Sequence, residues 1–132
     1  MSIKEMIAEH PDVAGDANEA LGEAVKHAMY CAAITNACAD ACAAEPDAKE
    51  RGACIRLCAD TSDICTATYR AGSRRTGSNE AILKALLELC ARACEDCADM
   101  CAHHDDAHCR RCATMCRETA EDCRKAAATI EA

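Results

Sequence analysis

The chain of 132 residues contains no phenylalanine and no tryptophan, and its only aromatic residues are Tyr30 and Tyr69. Large aromatic side chains usually supply much of the cohesion of a protein core, so another residue type must supply part of it here. The sequence also lacks any apolar run of the roughly 20 residues that a transmembrane helix needs. We therefore predict no membrane-spanning segment and a core of unusual composition.

Positive charge is also scarce, because 15 Lys and Arg residues stand against 23 Asp and Glu residues and give a net charge of −8. This balance argues against a nucleic-acid partner and against an anionic membrane surface. The first six residues are polar and resemble neither a signal peptide nor a twin-arginine leader, which predicts a cytoplasmic protein. In a reducing cytoplasm, the fourteen cysteines are more typical of metal binding than of disulfides.

Helical periodicity and turn residues predict an all-α fold. Ser2 and Glu5 have the spacing of a capping box and predict a short helix over residues 2 to about 9, ended by Pro11. Asp16 or Asn18 can cap the first long helix, and a turn-rich connector covers residues 72–79. Short connections predict an antiparallel up-down four-helix bundle, with residues 1–15 as a short N-terminal helix and linker and residues 16–132 as the bundle. The long helices are expected at about 16 or 18 to 44, 47 to 71, 78 to 103, and 105 or 106 to 130.

The cysteines follow the helical repeat. In the predicted third helix they are four, three and four residues apart, which places their thiols on one face. Each helical hairpin also repeats its cysteine spacing in reverse, about residue 48 in the first and near residue 105 in the second. We expect the mirrored cysteines to lie side by side at matching heights. The mirrored pairs are Cys42 with Cys54, Cys38 with Cys58, Cys31 with Cys65, Cys101 with Cys109, Cys97 with Cys112, Cys94 with Cys116 and, less tightly, Cys90 with Cys123.

This arrangement predicts a shaft lined by thiols over about two thirds of the bundle and closed at the far end by aliphatic side chains. Both tight turns, near residues 46 and 104, are expected at the thiol end. Thr35, Thr61 and Thr119 occupy inward positions at which a further thiol could lie. The predicted aliphatic residues are Leu21, Val25, Leu83, Leu86, Leu87 and Ile130.

Three interpretations compete for the thiols. A buried cysteine is often only a small apolar residue, and a ladder of disulfides would strain regular helices. Neither explains so many inward cysteines in mirrored register. Pairs four residues apart on a helix suit a soft cation with two or three sulfur ligands, which favours monovalent copper. The predicted ligands of multiple Cu(I) ions are Cys31, Cys38, Cys42, Cys54, Cys58, Cys65, Cys90, Cys94, Cys97, Cys101, Cys109, Cys112, Cys116 and Cys123.

Other functions stay open at this point. A redox protein, an iron–sulfur protein or a zinc protein could use a discrete site at Cys94/Cys97 and Cys109/Cys112. A zinc buffer or a structural bundle that binds a partner is a further alternative. The chain has no phosphate loop, nucleophile elbow or dinucleotide fingerprint, so we do not expect an enzyme.

The thiol pairs on four successive helices, the run from Cys90 to Cys101 and the short leading helix resemble the bacterial copper storage proteins, in particular the cytosolic type. The resemblance covers about residues 2 to 130. It implies a homotetramer of bundles that each store many Cu(I) ions. A copper chaperone is a further expected partner, as donor or acceptor. The resemblance also implies that histidines in the turn between the last two helices assist ions at the entrance; the alternative is that they are solvated turn residues. These histidines are His103, His104 and His108, whereas His10 and His27 are expected at the surface.

Overall fold

The computed structural model describes residues 2–74 and 78–131, and every regular element within these ranges is helical. The all-α prediction is therefore confirmed. The elements are α1 (Ile3–Ala8), α2 (Glu19–Ala43), a 3-10 helix (Ala48–Arg51), α3 (Gly52–Ser73), α4 (Glu80–Cys101) and α5 (Ala107–Ala128).

Two predicted helix starts are capped as the sequence indicates. The Ser2 hydroxyl accepts hydrogen bonds from the backbone N–H groups of Lys4 at 3.2 Å and Glu5 at 3.4 Å. Of the two candidate caps for the next helix, Asn18 takes the role, because its Oδ1 accepts from Leu21 N at 3.0 Å. These bonds satisfy backbone donors that the first turn of a helix leaves free.

The second predicted helix begins differently from the expectation. A turn of 3-10 helix over Ala48–Arg51 precedes α3, so the segment from 47 to 71 is not one continuous α-helix. Asp47 makes no side-chain cap to the backbone, because its carboxylate accepts instead from Arg51 Nε at 2.8 Å. The helix also runs further than predicted, to Ser73; residues 75–77 of the predicted connector lie outside the described residues.

The four long helices form a closed antiparallel ring. α2 packs against α3 and α5, and α4 packs against the same two helices. The turn that contains the 3-10 helix and the turn between α4 and α5 meet at one end, where Arg51 bonds Asp106. We call this end, formed by residues 44–51 and 102–106, the mouth end. α1 packs on the outside of α2, and the division into segments 1–15 and 16–132 stays a prediction.

The opposite end, which we call the aliphatic end, is filled as predicted. Gly72 allows α3 to approach α2 closely there, because a Cβ atom on Gly72 would lie 2.6 Å from Val25 Cγ2. Lys84 Nζ donates to the carbonyl oxygen of Ile130 at 2.9 Å and ties α4 to the end of α5. Leu86 is only partly buried against this core. The buried aliphatic side chains are those of Leu21, Val25, Leu83, Leu87 and Ile130.

Candidate metal centre

All fourteen cysteines are free thiols and all are buried. The predicted inward orientation is thus confirmed, and the disulfide ladder is absent from the structure. The most exposed of the fourteen is Cys54, at 3%. Helical spacing explains this result, since residues three and four apart on one helix share a face and each face points into the ring. We call the resulting column the thiol shaft; it consists of the fourteen cysteines and extends from the mouth end to the aliphatic end.

Most of the close contacts between sulfur atoms join the first helical hairpin, α2 and α3, to the second, α4 and α5. Cys58 of α3 lies 3.6 Å from Cys97 and 3.8 Å from Cys101 of α4. Cys31 of α2 lies 3.8 Å from Cys94 and 3.7 Å from Cys116. The contacts therefore join α2 and α3 to α4 and α5, which the mirror symmetry within each hairpin did not reveal. The same pattern holds for Cys65 with Cys90 and Cys94 and for Cys42 with Cys109, all at 3.7 Å.

The thiols also fall into groups whose ligand atoms all lie within 4.8 Å of one another. Successive groups share one cysteine, so they form an unbroken series along the shaft. Three of the mirrored pairs, Cys38/Cys58, Cys97/Cys112 and Cys94/Cys116, each fall within one group. Five of the groups, in order from the mouth end, are Cys38, Cys42, His108 and Cys109; Cys38, Cys58, Cys101 and Cys112; Cys97, Cys112 and Cys116; Cys31, Cys94 and Cys116; and Cys65, Cys90 and Cys94.

His108 is the predicted histidine that the structure brings to the thiols. Its Nδ1 lies 3.4 Å from Cys38 Sγ and 3.6 Å from Cys109 Sγ. Its Nε2 lies 3.2 Å from a carboxylate oxygen of Glu45, which orients the ring. The contact with the Cys38 thiol raises the pKa of His108, burial opposes this effect, and Glu45 adds to it. An imidazole held this way offers one nitrogen to a soft ion beside two sulfurs.

The other histidines have different surroundings. His103 is exposed and His104 is half-buried in the turn after α4, and a ligand role for either stays a prediction. His27 is half-buried on the outer side of α2, with its Nδ1 2.5 Å from Asp122 Oδ2 of α5. His10 accepts a hydrogen bond from Asp12 N at 3.0 Å within the segment after α1.

Arg51 is the site residue that the sequence interpretation missed. Its side chain is only 7% exposed, and its Nη1 lies 3.7 Å from both Cys42 Sγ and Cys109 Sγ. A signal was available, because Arg51 precedes Cys54 by three residues and so continues the inward stripe of α3 to the mouth end. A buried guanidinium is costly unless it is paired. Here its bonds to Asp47 and Asp106 supply that pairing.

Near both ends of the shaft, the surroundings favour the neutral form of the thiol. Burial raises the pKa of both Cys42 and Cys109; the Arg51 guanidinium opposes this effect at Cys42. Where the shaft reaches the aliphatic end, a hydrogen bond with Cys90 and burial raise the pKa of Cys123. A monovalent cation that replaces one thiol proton leaves the buried charge unchanged, whereas four thiolates around Zn²⁺ leave two negative charges in a poorly solvated interior.

Buried threonines interrupt the shaft on some helices. The predicted inward positions of Thr35, Thr61 and Thr119 are confirmed, and Thr68 is a fourth buried threonine that the sequence interpretation missed. Their hydroxyls donate hydrogen bonds to backbone carbonyl oxygens of their own helices: Thr35 Oγ1 donates to Cys31 O at 2.7 Å, and Thr119 Oγ1 donates to Met115 O at 2.8 Å. These side chains add no thiol, so the ligand ladder has gaps on α2, α3 and α5.

A helical bundle with a continuous core of unpaired thiols is a protein built to hold soft metal ions. The family model for the copper storage proteins matches residues 17–128, and the chain belongs to that family. The uncharacterized cysteine-rich protein YhjQ of Bacillus subtilis (strain 168) is 35% identical over 104 residues, which cover 79% of this chain and 93% of the relative.

Two solved structures of a Streptomyces lividans protein give the same family and fold. The copper storage protein Ccsp loaded with 10 copper equivalents matches with a TM-score of 0.90 and 36% identity, over 96% of this chain and 98% of the other. A cytosolic copper storage protein from the same organism, with five coppers, matches with a TM-score of 0.80 and 39% identity over 83% and 93% of the two chains. The predicted bundle with a short leading helix and the predicted resemblance are therefore confirmed.

The discrete-site alternative is not favoured. In the groups named above, Cys94 and Cys97 belong to different groups, and each is grouped with thiols from other helices. None of the helices in the described ranges combines the length and apolar composition that crossing a bilayer requires. The chain is thus a member of the copper storage family whose core thiols are suited to hold many copper ions.

Proposed function

We propose that this chain stores Cu(I) in a cytoplasmic compartment, on the cysteines of the thiol shaft, with His108 as a ligand at the mouth end. The observation that carries the proposal is the series of overlapping thiol groups, each sharing a cysteine with the next. Shared thiolates can bridge neighbouring ions, so the shaft can fill with a loading of about one ion per cysteine. The cytosolic description of the Streptomyces lividans relative supports the compartment.

The test is an anaerobic titration of the fully reduced chain with Cu(I) in the presence of a competing chromophoric chelator, with Zn²⁺ titrated in parallel. We expect uptake of about one Cu(I) per cysteine before the chelator takes copper, and saturation by Zn²⁺ at a much lower loading because each Zn²⁺ ion uses four thiolates. Saturation by Cu(I) at about one to four ions would contradict the storage function and return attention to a discrete site.

His103 and His104 complete the proposed entrance in a weaker role. They lie in the turn at the mouth end, where imidazoles can receive an ion and pass it to thiolates that bind it more strongly. Replacement of both by alanine should slow loading and leave the final capacity unchanged. A fall in capacity would instead make them permanent ligands of stored ions.

The proposed role is storage without catalysis, with a copper chaperone as donor or acceptor and a homotetramer as the assembled form. The tetramer follows from the family resemblance and is supported by apolar side chains on the outside of α4: Ile82 is 65% exposed and Leu89 is 48% exposed, seven residues apart on one face. Measurement of the molar mass in solution by light scattering tests the assembly. Glutamate at both positions should shift the mass toward the monomer if α4 forms the interface.

A further inference from the structure

The mouth end is closed by one buried cation. Arg51 Nε donates to Asp47 Oδ1 at 2.8 Å, and Arg51 Nη1 donates to Asp106 Oδ2 at 2.6 Å. Asp47 precedes the 3-10 helix and Asp106 precedes α5, so the arginine joins the two turns of the mouth end. Hydrogen bonds between charged groups are stronger than neutral ones, and two of them fix the guanidinium in one position.

The same guanidinium lies over the first thiols of the shaft. Its Nη1 is 3.7 Å from Cys42 Sγ and 3.7 Å from Cys109 Sγ, and these sulfurs are 3.7 Å from each other. An ion that moved along the bundle axis at this point would have to displace the guanidinium. It would also approach a fixed positive charge in a poorly solvated place, where repulsion is strong.

A second approach to the same thiols remains beside the arginine. His108 contacts Cys38 and Cys109, and its side chain is 28% exposed. The mouth end therefore has a blocked path along the axis and an accessible path at its side. The two paths lead to the same cysteine, Cys109.

We propose that Arg51 is a gate: it blocks the axial path and makes Cu(I) enter and leave at the side, past His108. This inference rests on the proposed function for the identity of the cargo. Arg51 acts as a positioning residue, because it sets the route of the ions without ligating them. A guanidinium stays protonated throughout the physiological pH range, so the gate does not open by titration. Its effect is slow exchange between stored ions and the solvent.

The direct test compares Arg51→Gln with the parent chain and with Arg124→Gln, which breaks an ion pair to Glu95 on the outside of the bundle. Each protein is loaded anaerobically to the same Cu(I) content, and copper removal by an excess of a chromophoric chelator is timed. Loss of two charge-assisted bonds should speed removal by about tenfold or more. The capacity of Arg51→Gln should be unchanged, and Arg124→Gln should behave as the parent.

A double-mutant comparison separates a gate from a structural staple. His108→Ala should slow Cu(I) loading in the parent, where ions must pass His108. It should have a much smaller effect in Arg51→Gln, where the axial path is open. If Arg51 only holds the two turns together, the effect of His108→Ala will be the same in both backgrounds, and the gate is overturned. Unfolding of each apoprotein is followed in parallel so that a general loss of stability is recognised.

Two further outcomes keep the gate separate from the storage function. Full capacity with unchanged removal rates in Arg51→Gln would overturn the gate and leave storage intact. Saturation at a few ions in the parent chain would overturn storage and the gate with it. If Arg51→Gln does not fold, Asp106→Asn removes one of the two anchors of the guanidinium and should still speed copper removal, by a smaller factor.

Discussion

The thiol shaft and the aliphatic end occupy the same inward stripes of the same helices, yet they contribute differently to the protein. On α2, Leu21 and Val25 lead into Cys31; on α4, Leu83 and Leu87 lead into Cys90, and all are buried. Burying a leucine from water contributes about 1.5–3 kcal/mol, and a cysteine is a smaller side chain. The comparison indicates that the aliphatic end supplies most of the stability of the apoprotein, whereas the thiol shaft binds copper ions.

The largest expected effect comes from filling the shaft. Ions that bind only the folded chain stabilise it by mass action, by about 4 kcal/mol for a site at a thousandfold excess over its dissociation constant. With many sites, Cu(I) should raise the unfolding temperature far more than any single substitution can lower it. Anaerobic thermal unfolding followed by circular dichroism measures this. An unchanged unfolding temperature after full uptake would place the copper outside the bundle.

Truncation at the aliphatic end should have the next largest effect. Leu83 is 1% exposed, and Leu83→Ala should lower the free energy of unfolding of the apoprotein by about 2–5 kcal/mol because it leaves a cavity. Met6 of α1 is 68% exposed, and Met6→Ala should change this energy by less than about 0.5 kcal/mol. Chemical denaturation of the two variants makes the comparison.

The same pair of variants tests the division of roles. Copper capacity should be unchanged in Leu83→Ala, since the substitution removes no thiol. Copper should also restore much of the lost stability, because the ions bind at the other end of the bundle. A reduced capacity would mean that the aliphatic end shapes the thiol sites directly.

The parts of this structure that sequence could predict are those fixed by local spacing. Cys90, Cys94, Cys97 and Cys101 must share a face on any regular helix, and the turn residues set where each helix ends. The contact partners were not predictable in the same way. Cys58 meets Cys97 and Cys101 because of how the two hairpins are rotated against each other, and side-chain packing across the whole ring decides that rotation.

Arg51 shows a second limit. Its position three residues before Cys54, in line with the inward stripe of α3, is visible in the sequence, but a basic residue at a helix end is normally solvated. Burial of its guanidinium depends on Asp47 and on Asp106, which is 55 residues away along the chain. Only the meeting of the two turns brings that partner into place. Long-range pairing of this kind carries no periodic signal.

The buried threonines of the inward stripes lie at positions where an added thiol would face the shaft. Thr35 is fully buried between Cys31 and Cys38 on the stripe of α2. Thr35→Cys should add a ligand to the shaft and raise the Cu(I) capacity by about one ion. Thr66→Cys is the matched control, because Thr66 lies half-buried on α3, off the cysteine stripe. Equal capacities for the two variants would show that inward position alone does not make a thiol a storage ligand.

The smallest expected effect lies on the outer wall of the shaft. Arg124 of α5 donates to Glu95 of α4 at 2.6 and 2.9 Å, but both side chains are about half exposed. Arg124→Gln should therefore lower the free energy of unfolding by only about 0.2–1 kcal/mol.

The contribution of this ion pair should depend on pH. The hydrogen bond from Arg124 lowers the pKa of Glu95 below its ordinary value of 4.5. The contribution is therefore complete above that value and is lost as the pH falls through the lower pKa of the folded state. The difference in unfolding temperature between the parent and Arg124→Gln should disappear in acid, and a difference that persisted there would mean that the arginine stabilises the wall by packing.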